Sequence, residues 1–202
     1  MSKMMIRRLS ASLVAVALLA TLPGCISVGP KPPKELIGLT SDAKVPAGLA
    51  KTTNDKQAIS VGLPALPPEL RNNRIAVQSG ASFAYLPTSA WVDMPNQMFR
   101  AVLAETIEAK TGRFVPDRRS EAITPDTRLG GTLSAFQLLG GQGKVLVVFD
   151  ATLSKSGSDQ VQARRFEATA PVGEEEPANV TSALNRAANA VASDVADWVG
   201  TN

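Results

Sequence analysis

Apolar and polar positions alternate most clearly in the second half of the chain, where residues 127–138, 144–154 and 160–170 each read as a strand. In the middle segment Val145, Val147, Phe149, Ala151 and Leu153 fall on one face, and Leu146 and Val148 on the other. A strand apolar on both sides is central or is covered by a partner. Gly140, Gly141 and Gly143 mark the first junction and Lys155-Ser156-Gly157-Ser158-Asp159 the second, which predicts an antiparallel meander. Upstream, residues 58–63 are strand-like, Pro64, Pro67 and Pro68 force an extended connection, and Arg74 to Gln78 carries Ile75 and Val77 on one side. Residues 79–86, with Phe83 and Tyr85 alternating, return as a hairpin strand.

The period then changes to that of a helix. Phe99, Val102, Leu103 and Ile107 follow a capping Asp93 and a first-turn Pro95, and Thr111-Gly112 ends the run. Residues 113–115 are expected as a short strand. Val180, Leu184, Ala187, Val191, Val195 and Trp198 recur at intervals of three and four after Glu174-Glu175-Glu176-Pro177, an amphipathic last helix with acids at its positive end. Strands, helix, strands, helix predict an α+β fold, an antiparallel sheet with two helices packed on one face.

The N-terminus follows a different pattern. Residues 1–8 carry Lys3, Arg7 and Arg8 with no acid, and residues 9–22 are uncharged. This is the basic and apolar pair of a secretory signal, too short for the roughly 20 apolar residues that span a bilayer. Leu22-Pro23-Gly24-Cys25 resembles a bacterial lipobox, so residues 1–24 are expected as a lipoprotein signal peptide and Cys25 as the lipidated first residue of the mature chain. One acyl chain binds a membrane marginally, whereas several on one residue hold durably. Residues 25–56, interrupted by Pro30, Pro32, Pro33 and Pro46, are expected as a tether with a short strand at 35–40, and residues 57–200 as the domain.

Charge and chemistry narrow the function. The net charge of +3 is carried by Lys3, Arg7 and Arg8, and from Cys25 onward 18 basic residues (21 less 3) balance 18 acidic ones. Such a domain has no net field to attract nucleic acid. Arg113, Arg118 and Arg119 lie among Asp117 and Glu121 and read as a solvated loop. The chain has no histidine, which removes imidazole-based triads and zinc sites, and its single cysteine leaves no disulfide. Gly140-Gly141-Gln142-Gly143-Lys144 lacks the phosphate-loop pattern: Leu138 stands at the leading glycine, Val145 at the metal-binding hydroxyl, and a strand follows instead of a helix. Asp126, Asp150 and Glu167 do not converge by spacing and read as surface charge. Asn179-Val180-Thr181 has the spacing of a glycosylation sequon but falls in the first turn of the last helix, and Trp198 reads as core, with Trp91 in a connection. No residue set points to catalysis, a cofactor or a metal. Leu146 and Val148 are the candidate contact with a partner or a second copy.

The lipobox, the Pro-rich leader, the Pro-Pro-x-Leu turn from Pro67 to Leu70 and the run Arg74-Ile75-Ala76-Val77 are followed by Tyr85-Leu86 and Trp91. A helix reading Asn96-Gln97-Met98-Phe99-Arg100-Ala101-Val102-Leu103 comes next. This chain resembles the ABC-type transport auxiliary lipoproteins, small periplasmic partners of mammalian-cell-entry (MCE) lipid-transport systems such as the paraquat-inducible type. The likeness covers most of residues 34–200. It departs in the leader, where Glu35-Leu36-Ile37-Gly38-Leu39 stands in place of the family's common tyrosines. The resemblance implies an α/β sandwich similar to the N-terminal domain of the Tol translocation protein B, and a non-catalytic docking role with no cofactor. Its implied partners are the membrane through lipidated Cys25, an MCE-domain protein and the ABC transporter or permease components. Ile26 after the cysteine implies the periplasmic face of the outer membrane. Two other classes stay open: a module that itself carries lipid, and a structural accessory of a secretion or lipopolysaccharide-export machine.

Overall fold

Nine elements form in the computed structural model, which describes Pro33, residues 35–117 and residues 123–201. In chain order they are β1 (Glu35–Ile37), β2 (Ile59–Val61), β3 (Arg74–Ser79), β4 (Ser82–Trp91), α1 (Pro95–Thr111), β5 (Thr127–Leu139), β6 (Lys144–Lys155), β7 (Val161–Pro171) and α2 (Pro177–Gly200). A 3-10 turn at Pro68–Leu70 separates β2 from β3. The sheet order is β1-β4-β3-β5-β6-β7, with β2 also on β5. Both helices pack on one face, in an α+β fold.

The meander and the β3–β4 hairpin are antiparallel. The β1–β4, β2–β5 and β3–β5 pairs are parallel, so the sheet is mixed. The length of β5 explains this. Its second half pairs with β3 and its first with β2, and α1 continues in the direction of β4 from Trp91 down to the start of β5. There Arg113 Nη2 donates to the Thr127 hydroxyl at 2.8 Å. The chain then runs back along β5, antiparallel to β4 and therefore parallel to β3.

A bulge in β5 sets which side chains reach the core. The register with β6 shifts between Leu133 and Ala135, and the inward positions change from Leu129 and Leu133 to Phe136 and Leu138. Gly131, at φ 145°, permits the bend: a Cβ there would lie 2.1 Å from the Asp150 carbonyl oxygen. Val145, Val147, Phe149, Ala151 and Leu153 all face the helices and are buried. Phe99 of α1 meets Phe149 edge-on at 5.4 Å, Trp198 of α2 meets Phe166 at 5.5 Å, and Trp91 meets Phe136 at 5.4 Å. Trp91 is thus a core residue that ends β4 and does not sit in a connection.

Two local expectations are corrected. The N-cap of α1 is Met94 and not Asp93, whose carboxylate accepts only from the Met94 amide at 2.7 Å; Pro95 supplies the preset first turn and Gly112, at φ 70°, closes the helix. Residues 113–115 form no strand, because the Phe114 carbonyl accepts from Ile59 N while the Arg113 side chain takes the Gln57 and Ala58 carbonyls. Arg113 therefore ties this stretch to β2 and is not a solvated loop residue. Arg118, Arg119 and Glu121 lie outside the described residues, as do residues 1–24 and Cys25.

Residues 35–56, expected as tether, lie on the domain. Glu35–Ile37 pairs with Ser89 to Trp91, and the chain then crosses both helices as a strap. Asn185 Oδ1 accepts from Thr40 N at 2.9 Å, and Asn189 accepts from Asp42 N and donates to the Thr40 carbonyl, both at 2.8 Å. Ser41 is buried against Thr106 of α1, hydroxyl to hydroxyl at 3.1 Å. Lys51 reaches Glu108 at 2.9 Å, both side chains 19% exposed.

Candidate docking surface

The sheet face turned away from the helices is the one extended surface on which the strands place apolar side chains in rows. Directly paired residues share a face, so one row runs Tyr85, Ala76, Gln137, Leu146, Thr169 across β4, β3, β5, β6 and β7. A second runs Phe83, Gln78, Leu139, Lys144, Pro171, and a third Ala135, Val148, Glu167. Leu146 and Val148, the expected contact pair, do fall on this face but differ in access. Leu146 is half-buried in the middle row, while Val148 is only 6% exposed beside Ala135. Phe83, 39% exposed, is an apolar member that periodicity placed correctly without marking it as a contact.

Polar groups on this face are held in fixed positions. Gln137, 4% exposed, donates its amide to Gln78. The Tyr85 hydroxyl donates to the Glu69 carbonyl and accepts from Asn72, both at 3.1 Å, and the Arg74 guanidinium lies 4.6 Å from the Tyr85 ring centre. Toward β7, Asp150 takes Nε and Nη2 of Arg165 at 2.6 and 3.0 Å and also accepts from the Ser134 hydroxyl. The hydrogen bond from Arg165 is the main reason that the Asp150 carboxyl sits below its ordinary pKa, against a smaller desolvation effect in the other direction. Ser134 lies at the bulge, so the bend in β5 brings its hydroxyl to that carboxylate.

The other sequence candidates do not assemble into a reactive site. Asp126 lies in the connection before β5, its amide on the Asp55 carbonyl, and Glu167 stands opposite Val148 on β7. Among the described residues no group of carboxylates or thiols has the arrangement of a metal site. Gly141 and Gly143, at φ 73° and 60°, shape the β5–β6 hairpin, and Gly141 N donates to Glu175 Oε1 at 2.8 Å. A hollow of about 530 Å³ lies where α1 ends, bounded by Lys51, Thr52, Thr53 and Arg113 among others. It is open and of mixed polarity, and aromatic pairs pack between sheet and helices. No helix of the described residues is long and apolar enough to cross a membrane.

The model of the ABC-type transport auxiliary lipoprotein component matches residues 39–196. The chain belongs to that family. The matched segment begins inside the strap and ends in α2, so in this auxiliary lipoprotein the Asn185 and Asn189 clamp lies within the family domain. No curated protein matches the sequence. Among solved structures, a Xanthomonas campestris protein of family DUF330 is 17% identical, covers 83% of this chain and 95% of its own, and superposes with a TM-score of 0.67. A second crystal structure, of an uncharacterized protein, is 16% identical over 71% of this chain and 93% of its own, with a TM-score of 0.62. At these identities the likeness is one of fold. Family membership carries envelope association and a link to ABC transport for this auxiliary lipoprotein.

Proposed function

We propose that this chain is the membrane-anchored, non-catalytic docking subunit of an MCE-type intermembrane lipid-transport system, held through lipidated Cys25 at the periplasmic face of the outer membrane. The observation that carries the reading is the family match over residues 39–196, preceded in the same chain by Leu22-Pro23-Gly24-Cys25. The role of the domain is to present a surface to an MCE-domain protein while the acyl chains hold it in place. That surface is the open sheet face, where Phe83 and Leu146 offer apolar contact and Val148 supports them from within the sheet.

Two measurements test this. Palmitate labelling of cells is expected to mark the native chain and not the Cys25→Ala variant; an unlabelled native chain overturns the anchor. Native-membrane copurification is expected to recover an MCE-domain protein, and Phe83→Ser with Leu146→Ser is expected to lose it while the protein keeps its circular dichroism. Recovery of ABC components without any MCE-domain protein would replace the MCE assignment with another ABC-linked envelope system.

A further inference from the structure

β7 is the last strand on its side of the sheet: it pairs with β6 along its whole length, and no described strand lies beyond it. The ladder runs from Ser154↔Val161 to Lys144↔Pro171 with no register shift, so backbone groups alternate strictly along it. Val172 N donates to the Gly143 carbonyl at 2.8 Å in that same register, so the even-numbered residues turn their N–H and C=O toward β6. Odd-numbered residues therefore turn theirs outward. Arg186 Nη2, which reaches the Pro171 carbonyl at 3.0 Å from α2, agrees with this parity.

One end of this edge is closed. Pro171 has no N–H and its carbonyl is taken by Arg186. Between them, Ala163, Arg165, Glu167 and Thr169 present outward backbone groups, a template for another strand.

The geometry points to a second copy of this chain as the occupant, its β7 paired antiparallel with this one about a two-fold axis at Phe166. Outward groups must meet outward groups, so hydrogen-bonded partners are both odd-numbered. A register centred on Arg165 sets that arginine against itself, and one centred on Glu167 sets two carboxylates together. Centring on Arg164 or Ala168 leaves Arg165 and Glu167 opposite uncharged residues. Centring on Phe166 alone sets Arg165 opposite the partner's Glu167 and Glu167 opposite the partner's Arg165, while Ala163 meets the partner's Thr169. Arg165 and Glu167 both lie on the open face, where neither helix intervenes, and Asp150 holds the Arg165 guanidinium there. On the other face Phe166 is already covered within its own chain, backed by Trp198 and lying under the Arg164 guanidinium at 4.9 Å, so this pairing rests on the strand edge and its charges. The two sheets become one, and their open faces form a single surface twice as wide. This pairing stands independently of the transport reading.

The experiment is native mass spectrometry and sedimentation of the full chain purified in mild detergent at micromolar concentration. Self-association is expected. Ala163→Pro, which removes an outward N–H and leaves the β6 ladder intact, is expected to abolish it. Glu167→Arg sets like charges opposite and weakens it about tenfold. Arg165→Glu does the same, and mixing the Glu167→Arg and Arg165→Glu proteins restores association as a heterodimer, because every cross-strand pair is then of opposite charge. A native protein that is monomeric throughout overturns the proposal. So does association that Ala163→Pro leaves unchanged, or a mixture of the two folded charge variants that stays monomeric.

Discussion

Replacing Asn189 with alanine tests whether the strap is held by the last helix or merely lies against it. The substitution removes the acceptor for Asp42 N and the donor to the Thr40 carbonyl, both at 2.8 Å, together with the bond to the Asn185 carbonyl within the helix. Each strap bond is worth about 1 kcal/mol, and a buried partner left unmet would cost more. Thr40 and Asp42 are themselves exposed, so water takes over part of the loss and the two bonds together come to about 2 kcal/mol. Alanine favours a helix interior over asparagine by about 0.5 kcal/mol, which leaves a net cost of about 1.5 kcal/mol. For a domain of this size that lowers the melting temperature by about 3 to 6 °C. If the loss is confined to the strap, trypsin cleavage at Lys44 and Lys51 under native conditions rises about tenfold. A melting temperature within about 1 °C of the native protein, with unchanged cleavage at both lysines, would show that the carboxamide does not hold the strap.

Gly131→Ala forces a Cβ to 2.1 Å from the Asp150 carbonyl oxygen at a φ of 145°; it costs about 3 kcal/mol or more, read as a loss of soluble yield or a strongly lowered melting temperature. Gly141→Ala, with nothing within 4 Å of its Cβ, costs only about 1 kcal/mol from its left-handed backbone. Trp91→Phe costs under about 1 kcal/mol in urea unfolding, because the smaller ring loses packing but removes a buried indole N–H that has no hydrogen-bond partner among the described residues. Thermal melts across pH are flat between about 5 and 8, since the chain has no histidine. Below that range Asp150, whose pKa is lowered in the fold, contributes stability above its unfolded value and loses it as pH falls through the folded one. Asp150→Asn removes that acid-range loss, which stays small because Arg165 is largely and Asp150 partly exposed to solvent.

The elements that periodicity marks are those whose pattern is local. Val145 to Leu153 and Val180 to Trp198 bury the side chains that their spacing selects, because each strand or helix meets a single flat core. The β5 bulge was hidden, since Leu129 and Leu133 obey one parity and Phe136 and Leu138 the other, and Ala135 beside Phe136 and Leu138 beside Leu139 blur the switch. Parallel pairing of β1 and β2 was equally hidden, because neither three-residue strand is long enough to show alternation. The strap leaves no trace in its own residues, which are mostly small or polar and show no period. Its signal lies 145 residues away, in two asparagines one turn apart on an otherwise apolar helix face. On the candidate surface, alternation identified Leu146 and Val148 together, but their difference in access depends on the cross-strand neighbours Ala135, Gln137, Glu167 and Thr169. Only the register supplies those.

The strap also determines how the protein would respond to being pulled. A load arriving from the N-terminal side meets β1 first, a three-residue strand paired on one edge, and then the carboxamides of Asn185 and Asn189. These few bonds give way before any strain reaches β2 on the central strand. Their release, with that of Ser41 from Thr106 and Lys44 from Glu105, frees residues 35–50, about 55 Å of extended chain, while Lys51, Asp55 and Ala58 stay tied to Glu108, Asp126 and Arg113 and the helices and remaining sheet stay packed. With the proposed anchor at Cys25, the strap is a sacrificial length of line, able to let the domain drift from that anchor and be drawn back without unfolding.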